Sequence, residues 1–481
     1  MVESLRGLGY STATALADII DNSITARAAM VAVQFTWNRG VSWISVLDDG
    51  GGMSDGELES AMRLGDRNPL EDRAAGDLGR FGLGLKTASF SQCRLLTVAS
   101  RKDNHTSCLR WDLDLLARGG GDAWHLLEGA TPESCTALAP LSLMQTGTIV
   151  LWERLDRVVT TGSTEQDFLD QIDLVEQHLA MVFHRYIDGP RPRLVLTLNG
   201  RRIAPWDPFL RDNQATWSSP VDRLPTASGV VEIQCHVLPH KDRLDPRMYG
   251  RAAGPDGWTA QQGFYVYRNE RLLVAGSWLG LGQGRAWTKE EAHRLARIRL
   301  DIPNKADDEW KIDIRKSTAR PPVMLKARLL KLADITRERA RRVFAHRGQI
   351  VQAGKAEPVA AAWRVDHFKG GIRYRIDNSH PAVRAVLDDA GELAPAIRAM
   401  LRVIEETIPV QRIWLDTAEA KETPRTGFAG EPPSEVTSIL DILFRNLVVR
   451  KGLSPDRAKE QLRRTDPFQA YPELVDALTA D

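Results

Sequence analysis

Asp18 and Asn22 stand four residues apart in DIIDNS (18–23), a spacing that puts a carboxylate and an amide on one face of a helix. A carboxylate can take a proton from water, and an amide oxygen can ligate a hard divalent cation. The same stretch holds a second acid, Asp21, and burying a carboxylate without a partner is expensive. That face must look at water or at a ligand that compensates its charge. Asp48, Gly50 and Gly52 then form Asp-x-Gly-x-Gly in DDGGGM, which Met53 closes. Gly79, Gly82 and Gly84 follow in GRFGLGLKTAS. Glycines at a helix start let backbone N–H groups approach an anion closely, although a tight turn has the same pattern. A P-loop needs Lys directly after its last Gly, and here Leu85 intervenes before Lys86. The dinucleotide fingerprint G-x-G-x-x-G is absent as well.

Several elements must position these groups. Ser11 can cap a helix running through about Ala26, with Leu16, Ile20 and Ile24 as its apolar stripe and Asp18 and Asn22 nearly opposite. AAMVAVQFTW and VSWISVLDD read as two strands joined by an NRG turn, and the second ends at Asp48. Further strands are expected at CRLLTVAS, TSCLRWDL and GTIVLW, and a helix in DFLDQIDLVEQHLAMVFHRYI. GPRP marks a boundary near residue 190. A second unit is expected to open with RLVLTLNGRRIAPWDPF, a strand, an Asn-Gly turn and a strand. It continues through a hairpin, GFYVYRNERLLV, a helical KEEAHRLAR and a strand, IRLDIP, and closes in the loop WKIDIRKSTARPP. A long basic helix follows Pro322, and a last region carries a short strand pair and then helices.

The 481 residues suffice for two or three domains. With 64 Lys and Arg against 63 Asp and Glu, no global charge announces a polyanion partner, so any such surface must be local. No run of 18 apolar residues predicts a membrane span, and the N-terminus lacks a signal-peptide pattern, so a cytoplasmic protein is expected. Cys93, Cys108, Cys135 and Cys235 form no CxxC pair and read as free thiols; Cys235-His236 with His240 is a metal candidate that fits a strand and loop better.

Taken in order, the acid–amide helix, the Asp-x-Gly-x-Gly, the G-x-x-G-x-G and TGTIVLW with Thr148 resemble the GHKL ATPase superfamily: gyrase B, the heat-shock chaperone ATPase, histidine kinases and MutL. DNSI, GTIVLW and GFYVYRNERLL are most similar to MORC-type and prokaryotic MORC-like proteins. The resemblance implies an α+β protein. A GHKL (Bergerat) α/β sandwich over 1–189 would precede a ribosomal-S5-like transducer with the basic helix over 190–345. A mainly helical C-terminal region of unknown role would fill 346–481. It also implies ATP and Mg2+ as ligands. Asn22 would ligate Mg2+, and Asp48 would accept a hydrogen bond from the adenine amino group. Gly50 and Gly52 would leave room for the ring, with Met53 in the same cofactor-binding stretch. Gly79, Gly82 and Gly84 would serve phosphate, residues 54–78 would be the lid, and Thr148 would support the adenine side.

The superfamily's general base is usually Glu; here it is Asp18, shorter by one methylene, about 1.5 Å. Asp21 is the fallback base, and Thr25 stands where many relatives carry Asp. In transducer-bearing members a lysine from the second domain contacts the γ-phosphate; Lys316 is the choice here and Lys311 the alternative. The expected function is an ATP-gated homodimeric clamp on DNA, contacting it through the helix from 326 to 342. Such proteins resemble parts of restriction or antiphage systems, so cutting would fall to a separate effector such as a nuclease. A chaperone-like ATPase and a nucleotide-sensing scaffold are the alternatives. A histidine kinase and a topoisomerase are disfavoured, because no phosphoacceptor helix precedes the first helix and no cleavage module follows.

Overall fold

The computed structural model describes residues 6, 7, 9–63, 84–118, 125–313, 316, 318–345, 360–368, 371–413, 434–465, 467, 468 and 471–479. The chain divides into two compact units, Met1–Gln349 and Ile350–Asp481. In the first, α1 (Thr12–Thr25) begins at Ser11 as expected. The Thr14 N–H donates to Ser11 Oγ over 3.2 Å and the Ser11 N–H donates to Thr14 Oγ1 over 3.0 Å. This reciprocal cap satisfies two donors that a helix start leaves open.

The NRG turn joins an antiparallel pair, β1 (Met30–Thr36) and β2 (Trp43–Asp48). After the glycine-rich turn come α2 (Asp55–Met62) and α3 (Gly84–Phe90). They are followed by β3 (Leu95–Lys102), β4 (His105–Asp112), β5 (Leu127–Glu128) and β6 (Gly147–Glu153). The long α4 (Glu165–Val182) then leads to β7 (Val195–Leu198) and β8 (Arg201–Arg202). These strands make one sheet of order β5-β4-β3-β6-β2-β1-β7-β8. One main core joins α1, α3, α4 and the sheet through Leu16, Ile20, Phe90, Val150, Val175 and Leu179. A smaller cluster holds Ala99, Leu141 and Ile149.

The Asn-Gly hairpin expected to open the second domain instead completes this first sheet. β7 runs parallel to β1, with Met30 opposite Val195. Leu196 and Leu198 enter the core that holds Val31 and Val33, so burying that alternate pair fixes the strand here. Asn199 Oδ1 accepts the Phe35 N–H over 2.8 Å and ties down the turn.

A second sheet holds β9 (Trp217–Ser218), β10 (Asp222–Thr226), β11 (Gly229–Val237), β12 (Gly263–Arg268), β13 (Arg271–Ser277) and β14 (Ala296–Ile302). Its order is β10-β11-β14-β12-β13, with β9 on β11. The expected hairpin β12–β13 turns at Asn269 and Glu270, both at positive φ (47° and 66°), a turn whose twist matches its strands. The helix expected in KEEAHRLAR is a single 3-10 turn, Glu291–His293. Leu295 and Ala296 are buried where β14 begins, and sheet pairing there overrides helix propensity. The basic helix forms as expected, α5 (Val323–Ala345), and buries Leu325, Leu329, Ala333 and Ala340.

The second unit pairs β15 (Trp363–Phe368) with β16 (Gly371–Ile376). Its helices are α6 (Pro381–Asp389), α7 (Ala394–Glu406), α8 (Ser434–Arg445), α9 (Pro455–Leu462) and α10 (Pro472–Asp476). Leu443, Phe444, Leu462 and Val475 form its core. Among the described residues no helix is long and apolar enough to cross a membrane.

Candidate functional site

The acidic face of α1 meets cations of its own chain. Asp18 is 5% exposed and Asp21 1%. Lys316, from the loop before α5, places Nζ 3.1 Å from Asp18 Oδ1 and 2.5 Å from Asp21 Oδ2. Arg271, the first residue of β13, places Nε 3.2 Å from Asp21 Oδ2, with a terminal nitrogen 3.8 Å from Asp18 Oδ1. The Tyr10 hydroxyl donates to Asp18 Oδ2 over 2.9 Å. Burial and the Asp18 carboxylate push the Tyr10 hydroxyl well above its ordinary pKa, so it stays a donor.

Asp21 does not suit the role of fallback base. Burial pushes its carboxyl up, but Arg271 and Lys316 more than offset this and hold it below the ordinary range. The same two cations stand 3.1 and 3.8 Å from Asp18 but 2.5 and 3.2 Å from Asp21, so Asp21 is the more tightly held and the poorer proton acceptor of the two. Of the two candidate lysines, Lys316 reaches the acidic face of α1. Lys311 is exposed and closes the helical turn Asp307–Trp310 at φ 47°.

Asp48 lies at the end of β2, opposite Thr148 in β6. Ser23 Oγ donates to Asp48 Oδ2 over 2.8 Å, and the Gly50 N–H donates to Oδ1 over 2.9 Å. Burial is the main force on this group and raises its pKa. Thr148 Oγ1 lies 2.8 Å from Ser100 Oγ, and Ser100 Oγ accepts the Met53 N–H over 2.8 Å. One hydroxyl pair thus ties the glycine turn to β3 and β6.

The glycines of that turn answer to the chain itself. Gly52 has φ 66°, and a Cβ there would lie 2.0 Å from the Arg101 carbonyl oxygen. At Gly50 a Cβ would lie 2.9 Å from both the Ala26 Cβ and Asp48 Oδ1. These glycines therefore have a packing reason of their own, beside the room for a ring that the resemblance implies. Asn22 is exposed on α1, one residue from each of Asp21 and Ser23. Gly84 opens α3 with nothing near its missing side chain, while Gly79, Gly82 and most of the expected lid, from 64 onward, lie outside the described residues. Lys86 ties α3 to the end of α2. Its Nζ donates to the carbonyls of Ala61 (2.9 Å) and Arg63 (2.6 Å) at the end of α2.

Residues 10–148 match the family model described as histidine kinase-, DNA gyrase B-, and HSP90-like ATPase. This segment is a GHKL-superfamily ATPase domain. No curated protein matches the chain. The matched stretch of the ATPase domain runs from Tyr10 to Thr148, so it contains Asp18, Asn22 and Asp48 and stops short of Arg271 and Lys316.

The basic helix is less free than its sequence suggests. Arg328 pairs with Asp222 at 2.5 Å, and Arg342 with Glu338 at 3.2 Å. Arg337 is buried, its guanidinium 4.5 Å from the Trp287 ring centroid, and Arg339 stacks 3.9 Å over Trp217. Lys326, Lys331 and Arg341 remain exposed. The cysteine–histidine candidate resolves as ordinary structure. His236 Nδ1 lies 2.8 Å from Ser218 Oγ, and among the described residues no cluster of metal-ligating side chains occurs. Sequence reasoning missed Tyr10, Ser23, Ser100 and Arg271 as site residues. Ser23 was signalled by DNS and Arg271 by RNERLL.

Proposed function

We propose that the chain is a Mg2+-dependent ATP-binding and slowly hydrolysing conformational clamp of the MORC or MutL kind. Two protomers close over ATP, with the second sheet and α5 acting as transducer. DNA is the substrate in this reading, within a prokaryotic restriction or antiphage system whose nuclease is a separate chain. The observation that carries it is the reach of Lys316, from the loop before α5, to Asp18 in the ATPase domain. A lysine there would report a terminal phosphate to the loop that leads into α5.

Asp18 would take a proton from water as the water oxygen bonds to the γ-phosphorus and the bridging oxygen departs with ADP. Tyr10 holds the Asp18 carboxylate in orientation from its other oxygen. Asp48 would receive the adenine amino group beside its protein donors, the Ser23 hydroxyl and the backbone N–H groups of Gly50 and Thr148. Asn22 suits Mg2+: it offers one neutral oxygen from an exposed position, and that ion takes few protein ligands. When bound, Mg2+ would neutralise phosphate charge. A shortened base and a conformational cycle make slow turnover the expectation.

DNA contact would run through Lys326, Lys331 and Arg341. Because Arg337 is buried and Arg328, Arg339 and Arg342, though exposed, already contact Asp222, Trp217 and Glu338, a nucleotide-sensing scaffold for partner proteins is the second reading. Light scattering with a non-hydrolysable ATP analogue or ADP tests the clamp. Wild type should dimerise with the analogue alone, and Lys316→Ala should stay monomeric. A wild type that is monomeric with the analogue, or equally dimeric with ADP, removes the clamp and leaves the scaffold.

A further inference from the structure

Four charged side chains meet under α1, and none is more than a tenth exposed: Asp18 5%, Asp21 1%, Arg271 4% and Lys316 8%. Two negative charges face two positive ones, so the cluster is balanced. Its members are not held equally. Arg271 is fixed to its own strand, because one terminal nitrogen donates to the Leu272 carbonyl over 2.6 Å while Nε faces both Asp21 oxygens at 3.2 and 3.3 Å. Asp21 is thereby pinned between a helix and a sheet strand. Lys316 sits on a loop at φ 53°, a left-handed conformation that costs energy for a residue with a Cβ. Its loop does not by itself dictate where the ammonium goes. The shorter of its two contacts, to Asp21, does.

An ammonium has three donors. Lys316 directs one at Asp21 and one at Asp18, which leaves the third. We infer that Asp21, locked by Arg271, is the positioning residue that aims this third N–H of Lys316 at the terminal phosphate. The Asp21–Arg271 pair then sets the preference for a nucleoside triphosphate over a diphosphate. This rests on the ATP reading above and assigns Asp21 a role apart from proton transfer.

Calorimetry separates the two. Affinities for a non-hydrolysable ATP analogue and for ADP are measured for wild type, Asp21→Asn, Lys316→Ala and the double variant, each with a thermal melt. The wild type should prefer the analogue, and Asp21→Asn should lower that preference about tenfold or more, the loss expected of one charge-assisted hydrogen bond. ADP affinity should stay nearly unchanged. The double variant should be no worse than Lys316→Ala alone, because Asp21 acts through that lysine. Arg271→Lys should retain part of the preference and Arg271→Gln should lose it. If Asp21→Asn fails to fold, Asp21→Asn/Arg271→Gln removes the buried pair together, and its preference is read instead. A preference equal to wild type in the folded variant, or losses that add in the double variant, overturns the assignment while ATP binding stands. A wild type that binds neither nucleotide overturns both.

Discussion

Asp18 and Asp48 are both buried carboxylates of the ATPase domain, and their neighbours give them different chemistry. Asp18 has cations and a phenol around it; Asp48 has a serine hydroxyl and a backbone N–H. Asp18→Asn should keep nucleotide binding and lose roughly 10²–10⁴ in turnover, the usual contribution of a positioned base; a steady-state rate equal to wild type would remove Asp18 from the reaction. For Asp48 the folded pKa lies above the unfolded value, so the native state binds more protons between the two. Stability therefore falls as pH rises through that window, and the cost is fully present at neutral pH. Asp48→Asn should melt no lower than wild type at pH 7 while losing its preference for ATP over GTP. A variant that melts several degrees lower shows that the carboxylate was needed for folding. Asp21 has the opposite sign. Its folded pKa is depressed, so its contribution is present above the unfolded value of about 3.9 and lost as pH falls below it. Asp18, Asn22, Asp48 and Thr148 stand out in the sequence because their spacing is local to known motifs, and the structure places Asp18 and Asp48 in buried polar contacts. Tyr10 does not stand out, since it carries no motif of its own, and Arg271 lies in RNERLL but nothing in that motif shows that it reaches Asp21. The ion pairs of Asp21 were not visible in the sequence because the cations that hold it come from residues 271 and 316.

At the scale of elements, the turn after β2 is held by close backbone approach. Gly52→Ala should destabilise by about 1–3 kcal/mol, from strained φ and collision with the Arg101 carbonyl, read as a lower denaturation midpoint. Lys86→Met removes two charge-assisted bonds from the end of α2 and should cost about 1–3 kcal/mol. Neither change should alter the choice of base. Elements whose signal is local were legible: the capped α1, the hairpin of β1 and β2, the β12–β13 turn and α5. Two were not. KEEAHRLAR has helical composition, but its last residues are claimed by a buried strand. The Asn-Gly hairpin was visible as a hairpin, yet its partner β1 lies far back in the sequence, and no local pattern names the sheet a hairpin will join.

For the whole molecule, the account makes the ATPase domain a switch whose state is passed to α5 through Lys316. DNA binding, measured against salt, checks the output. Replacing Lys326, Lys331 and Arg341 together should lower the slope of log K against log salt by about 2.7, at roughly 0.9 per phosphate contact. Arg339→Ala should leave that slope alone and lower the melting temperature instead, since its guanidinium covers Trp217. An unchanged slope in the triple variant favours a protein partner over DNA. The claim beneath all of these is that residues 10–148 bind ATP through Asn22 and Asp48. Titrating Mg2+-ATP into wild type, Asn22→Ala and Asp48→Asn by calorimetry tests it directly. The account predicts saturable binding of ATP over GTP by the wild type, lost when Mg2+ is chelated and lost in Asn22→Ala. Equal binding of ATP and GTP by the wild type, or wild-type affinity in Asn22→Ala with Mg2+ present, would contradict it.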